Sequence, residues 1–187
     1  MYKNMKKIAL LSEHNHEKAF ISSLKSNVFS DYLKRMSKFN INVLLNSANF
    51  QSSYYMAKYI HINSNRNNKL FKQLNCNKVS DDLIDIELFG CEPGIYRNFP
   101  EGKNGIFENY NGGTVYLEEV SKLPLFVQYK LLDLIEEGTL LKSGSIKKIM
   151  VDVNLIVSTK NEIKELMRKG LFLKGLYYSL IEIKVPN

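Results

Sequence analysis

The stretch from Asp81 to Val120, DDLIDIELFGCEPGIYRNFPEGKNGIFENYNGGTVYLEEV, most constrains what this chain can fold into. Its apolar spacing predicts a helix over 81–89, with Asp81 and Asp82 in the first turn, where the helix dipole favours carboxylates. An irregular excursion follows over 90–103, then a short amphipathic piece over 105–110. A Gly112-Gly113 turn then feeds an apolar strand over 114–117 that ends on two carboxylates, Glu118 and Glu119. A buried strand that delivers paired acids at its C-terminal end fits an open α/β sheet, where ligands bind outside the carboxyl ends of parallel strands.

The remaining segments supply the partners such a sheet needs. Phe20, Leu24, Val28, Tyr32 and Met36 fall on one face of a helix predicted over 17–39, and Asn40 breaks it. The apolar run at 42–45 reads as a first core strand and 70–76 as a second, with a helix over 53–62 between them. Pro124 opens a long amphipathic helix over 123–137 that Gly138 ends. The stretches 139–141 and 147–151 flank a Ser143-Gly144-Ser145 turn and predict a hairpin. The run VNLIVS at 153–158 reads as a buried strand, 162–169 as a helix closed by Gly170, and 181–185 as a last strand. Residues 1–16 form an N-terminal arm or strand and 17–187 one α/β domain.

With 187 residues, 44% of them hydrophobic, the chain is long enough for one well-filled core. No apolar run reaches the roughly 18 residues that a membrane-spanning helix needs. The basic N-terminus lacks a signal-like apolar region, so a cytoplasmic location is expected. Cys76 and Cys91 have no metal-ligand spacing and read as reduced, partly buried thiols. His14 and His16 have no further Cys or His nearby, so no metal site is expected. The net charge of +7 favours acidic partners, but the lysines are scattered and no helix-turn-helix pattern is present.

Three motifs carry a resemblance to a known family. ELFG at 87–90, GIF at 105–107 and GGTVYLEEV at 112–120 resemble the central ATPase domain of sigma-54-dependent transcriptional activators, an AAA+ class of bacterial enhancer-binding proteins. The resemblance covers roughly residues 20–186. It implies a three-layer α/β/α sandwich of the P-loop NTPase type with a central, mostly parallel five-stranded sheet. It also implies that the helical lid and the DNA-binding helix-turn-helix of the family are absent from this chain.

The resemblance further assigns roles position by position. The phosphate loop falls on Asn46, Ser47, Ala48, Asn49, Phe50, Gln51, Ser52 and Ser53, without a glycine and with Ser52 where the family has lysine. Such a loop works because glycines let backbone N–H groups wrap the phosphates while lysine reaches the terminal ones. Phe50 and Gln51 would strain a left-handed loop backbone. The magnesium-holding Asp and the water-polarising Glu fall on Glu118 and Glu119. The phosphate-sensing Asn falls on Lys160, and the two arginines that reach a neighbouring subunit's ATP fall on Leu173 and Ser179. The loop that engages the sigma factor falls on Gly94, Ile95, Tyr96, Arg97, Asn98 and Phe99, whose aromatic pair and arginine suit a protein contact. A loop tucked down on its own domain is the other reading of that segment.

The resemblance, with these replacements, implies a degenerate member of the family with no confident catalytic residue and vestigial Glu118 and Glu119. It would be a regulatory or protein-binding module in bacterial transcription control or response-regulator-like signalling, with no cofactor expected. One alternative is an ATP-binding activator domain, using ATP and magnesium, in which Lys58 or Lys160 reaches the phosphates. Another is an interface subunit that modulates the ring of an active paralogue. The implied partners are sigma-54 RNA polymerase, a paralogous AAA+ subunit or a second copy.

Overall fold

Alternation of side chains along the central strands decides how this chain stacks. The computed structural model describes residues 28–185 together with 19, 20 and 22. In chain order the elements are α1 (Val28–Ser37), β1 (Val43–Asn46), α2 (Phe50–Asn63), β2 (Phe71–Asn75), α3 (Asp81–Phe89), β3 (Gly90–Cys91), β4 (Lys103–Asn104) and α4 (Ile106–Asn109). They continue with β5 (Thr114–Glu118), α5 (Leu125–Glu137), β6 (Thr139–Leu141), β7 (Lys148–Met150), β8 (Asn154–Thr159), α6 (Ile163–Arg168), α7 (Lys174–Tyr178) and β9 (Ile181–Lys184). Residues 1–16, with the expected arm and His14 and His16, lie outside the described residues.

Five strands form one sheet in the order β2-β5-β8-β1-β9. Every pairing in it is parallel, so the sheet expected to be mostly parallel is wholly so. β5 and β8 are buried along their whole length and lie at the centre, whereas β2 and β9 sit at the edges and stay partly exposed. A parallel sheet needs cover on both faces, because each crossover lays a helix across it. Successive residues point to opposite faces. Tyr116 and Ile156 pack with Leu33, Met56 and Tyr59 of α1 and α2. Val115, Leu117, Leu155 and Val157 pack with Ile84, Leu88, Phe107, Val127 and Leu131 of α3, α4 and α5. Each such buried side chain contributes about 1.5–3 kcal/mol.

Two hairpins stand off the sandwich, β3–β4 and β6–β7, both antiparallel. Backbone proximity requires glycine where the first meets α3: a Cβ on Gly105 would lie 2.4 Å from the Leu88 carbonyl oxygen. The motif glycine at 105 therefore allows α4 to close against the end of α3. The expected helix over 53–62 starts three residues earlier, at Phe50, because Asn49 caps it by accepting a hydrogen bond from the Gln51 N–H. Among the described residues no helix is long and apolar enough to cross a membrane.

Candidate functional site

Parallel strands bring their carboxyl ends to one edge, and there the chain gathers β1 with its following turn, β5 with Glu118 and Glu119, and β8 with Lys160. Glu118 is the last residue of β5 and lies on the same face as Tyr116, the α2 side. In register it opposes Asn75 on β2. Its carboxylate accepts hydrogen bonds from the Gln73 side-chain amide at 2.9 Å and from the Asn75 amide. Glu118 is 8% exposed.

Glu119 turns the other way. Its φ of 61° is the one positive value for a non-glycine among the described residues. A left-handed backbone costs such a residue about 1–3 kcal/mol and persists only where the surroundings hold it. Here Thr159 Oγ1 donates to its carboxylate at 2.6 Å, Asn161 Nδ2 at 3.1 Å and the Lys160 N–H at 3.4 Å, with Ser121 as a further donor. Cys76 lies close to both acids. Burial, then the charges of Glu119 and Glu118, push its thiol up to about 12. Both cysteines are buried rather than partly so, and neither is disulfide-bonded.

The turn after β1 is built from local polar contacts. Asn46 donates its side-chain amide to Glu182 on β9 at 3.1 Å. The Ser47 N–H donates to the Thr159 carbonyl, and the Asn49 N–H to Ser47 Oγ. The Gln51 N–H donates to Asn49 Oδ1 and the Ser53 N–H to the Asn49 carbonyl. None of residues 46–53 has a positive φ. The strain expected at Phe50 and Gln51 does not arise, because both are already in α2. Ala48 bridges β1 and the cap, and Ser52 lies in the first helical turn, a position where lysine would reach an anion and a hydroxyl cannot. Lys160 folds back instead: its ammonium sits 4.1 Å from the centre of the Phe50 ring.

These residues do not fit a magnesium nucleotide. A phosphate cradle needs successive N–H groups directed outward at the anion. Here the amides of Ser47, Asn49, Gln51 and Ser53 are directed inward at protein oxygens. Glu118 is tied to two side-chain amides and Glu119 to four donors. The two positions expected to carry arginine are also turned to the domain itself: the Leu173 N–H donates to Gln128 Oε1 at 2.9 Å, and Ser179 Oγ donates to the Leu176 carbonyl at 2.8 Å.

On the α2 side of the same edge lies a half-open cavity of about 380 Å³, walled by Phe50, Tyr54, Tyr55, Lys58, Gln73 and Glu118. The sequence does not announce it. Phe50, Tyr54 and Lys58 recur at i, i+4 and i+8, which reads as an ordinary buried helix face until β2 and β5 are placed beneath it.

The segment 94–99 lies apart from this edge. Tyr96 and Phe99 close a tight turn, with the Phe99 N–H donating to the Tyr96 carbonyl at 2.9 Å, so Arg97 and Asn98 stand exposed at its tip. Its base is docked on the second hairpin. The Ser143 N–H donates to the Gly90 carbonyl and the Glu92 N–H to the Ser143 carbonyl, both at 3.0 Å. Ile95 lies so close to Gly144 that a Cβ there would meet it at 2.4 Å. Below, Asp85 accepts from Lys130 at 2.5 Å and from Ser143 Oγ, while Lys142 pairs with Glu108 at 2.8 Å. Asp85, Lys130 and Ser143 carry no motif, and sequence reasoning missed them.

Comparison with known proteins agrees with this architecture. The family model described as the sigma-54 interaction domain matches residues 20–186. The chain is 33% identical over 156 residues to the sigma54-dependent transcriptional regulator SfnR of Pseudomonas fluorescens, covering 83% of this chain and 42% of that protein. It is 37% identical over 150 residues to the Nif-specific regulatory protein of Rhizobium meliloti, covering 80% and 28%. The chain thus spans less than half the length of these relatives. Among solved structures, NtrX from Brucella abortus superimposes with a TM-score of 0.74 at 28% identity, covering 83% of this chain and 34% of that one. The P-loop NTPase domain of a sigma-54 activator from E. coli, at 19% identity and a TM-score of 0.56, shares the fold over 84% of this chain and 91% of its own. With the whole sandwich matched from residue 20 to residue 186, the chain belongs to the sigma-54 interaction domain family and has its P-loop AAA+ fold.

Proposed function

We propose that this domain is a regulatory, protein-binding member of the sigma-54 activator family that does not hydrolyse ATP. One observation supports the reading: at the turn that should cradle phosphate the amides of Ser47, Asn49, Gln51 and Ser53 are bonded to protein oxygens, while the Lys160 ammonium lies over the Phe50 ring. Each charge-assisted bond to phosphate contributes about 1.5–3 kcal/mol, and several fail here together. The 94–99 tip supports the partner-binding half of the proposal. It presents Arg97 and Asn98 on a base already fixed to the second hairpin, so a partner would meet a surface ordered in advance. Sigma-54 RNA polymerase is the partner the family suggests.

The test is calorimetric titration of the protein with ATP and magnesium, followed by steady-state phosphate release. The expected outcome is no saturable heat at millimolar nucleotide and no turnover above background. Turnover that disappears in Glu119→Gln would sink the proposal.

A further inference from the structure

The groove between α3 and α5 carries both halves of a contact with its own image. It is open, about 560 Å³ in volume, and lined by Asp81, Asp82, Asp85, Tyr96, Pro124 and Phe126. Asp85 is already bonded to Lys130 and Ser143. Asp81 and Asp82 are exposed in the first turn of α3, and neither carboxylate has an ion pair among the described residues. The apolar wall is uncovered too. Phe126 is 52% exposed, and Tyr129, three residues further along the same ridge of α5, is 57% exposed. Neighbouring exposed rings of this size mark an interaction surface.

Tyr96 lines the groove, while the next residue, Arg97, stands exposed at the tip of the same turn. Its guanidinium pairs with no carboxylate among the described residues, those of its own groove included. The face therefore holds unpaired charge of both signs beside apolar rings. Arg97 at the rim repels a segment that is only basic, and Asp81 and Asp82 repel one that is only acidic. A surface with the same arrangement, turned by a two-fold rotation, answers both signs at once. At a net charge of +7 two copies of the chain repel at long range, so they can meet only where carboxylates are free.

We propose that this face joins two copies of the chain in an isologous contact, Arg97 of each reaching Asp81 and Asp82 of the other, with Tyr96 and Phe126 packed between. This contact supplies the partner for the protein-binding half of the function proposed above and rests on that half alone. Heat from ATP and magnesium would overturn the non-hydrolysing half without touching it.

The experiment is sedimentation equilibrium of the full chain from micromolar to millimolar concentration, at low and high salt. A reversible monomer–dimer equilibrium is expected, weakened about 10-fold by salt because the rim charges are screened. Arg97→Asp makes every unpaired charge of the face negative, and Asp81→Arg with Asp82→Arg makes every one positive. Either reversal enters the contact twice and should weaken dimerisation by about 100-fold or more. Mixed in equal amounts, the two variants should form a heterodimer at least as tight as the unaltered dimer. Circular dichroism checks that both fold. A chain that stays monomeric throughout overturns the proposal and gives the groove to a different protein. Association that survives either reversal, or folded variants that fail to pair on mixing, overturns it as well.

Discussion

The two polar regions of this domain are wired in opposite ways. Around Ser143 the hydrogen bonds run between distant segments: Gly90 and Glu92 to Ser143, Asp85 to Lys130 and Ser143, Lys142 to Glu108. They tie α3, α5 and both hairpins into one body and leave Arg97 and Asn98 exposed outside it. Around residues 46–53 many of the bonds run between near neighbours: Ser47 with Asn49, Asn49 with Gln51, Asn49 with Ser53. Local bonds complete a helix cap and leave little to direct at a ligand. Long-range bonds hold a surface in place for something outside. The first pattern suits docking, and the second suits a helix cap.

The strongest way to break this contrast is Asp85→Ala. It removes the acceptor shared by Lys130 and Ser143 and leaves a largely buried ammonium beside the Phe89 ring, 4.5 Å from its centre. A loss of about 3 kcal/mol in urea unfolding is expected. Amide exchange at Ser143 and Glu92 should speed up well beyond that at β5. A loss confined to global stability, with those amides still protected, would mean that the hairpins do not depend on Asp85.

The sheet was readable because its signal is local. The runs at 42–45, 114–117 and 153–158 are apolar and short, and each became a strand within one residue of its expected ends. The start of α2 was misplaced by three residues because Asn49 acts as a cap only when its side chain is seen bonding Gln51. The replacements at Ser52 and Lys160 were visible in residue identity. Where Lys160 would go was not, since Phe50 lies over a hundred positions away in the chain. The Asp85–Lys130–Ser143 group was invisible for the same reason: its three members sit in a helix, another helix and a turn, each unremarkable alone. Pairing across the fold creates the group, and no spacing encodes it.

An intermediate effect comes from alkaline pH and separates Cys76 from the rest of the edge. Burial and the nearby carboxylates raise the folded thiol from its ordinary 9.0 to about 12. Between those values the unfolded chain releases a proton that the native state keeps, so stability is full below pH 9 and falls as pH rises through that window. The slope approaches about 1.4 kcal/mol per pH unit for one group. Tyr116, also raised mainly by burial, adds to the fall at the upper end. Cys76→Ala should flatten the lower part of the curve in urea titrations between pH 8 and 10 without moving stability at pH 7 in the same direction. An unchanged slope would place the thiol in contact with water.

The smallest stability effect is also the sharpest probe of the phosphate turn. Lys160→Asn restores the amide that the family carries there and removes the contact with Phe50, a cation–π pair that contributes about 0.5–1 kcal/mol where solvent reaches it. Ser52→Lys adds the cation at a half-buried position of the first helical turn, at a cost of about 1 kcal/mol. If those two residues alone had silenced the site, the double variant would recover nucleotide binding. The backbone argues otherwise. The amides of Ser47, Asn49, Gln51 and Ser53 remain bonded to Thr159, Ser47 and Asn49 whatever stands at 52 and 160, and Asn49 still starts the helix at Phe50. The double variant should therefore fold normally and still give no saturable heat with ATP and magnesium. Recovery of binding would show that the turn reopens easily, and that side chains alone separate this edge from a working one.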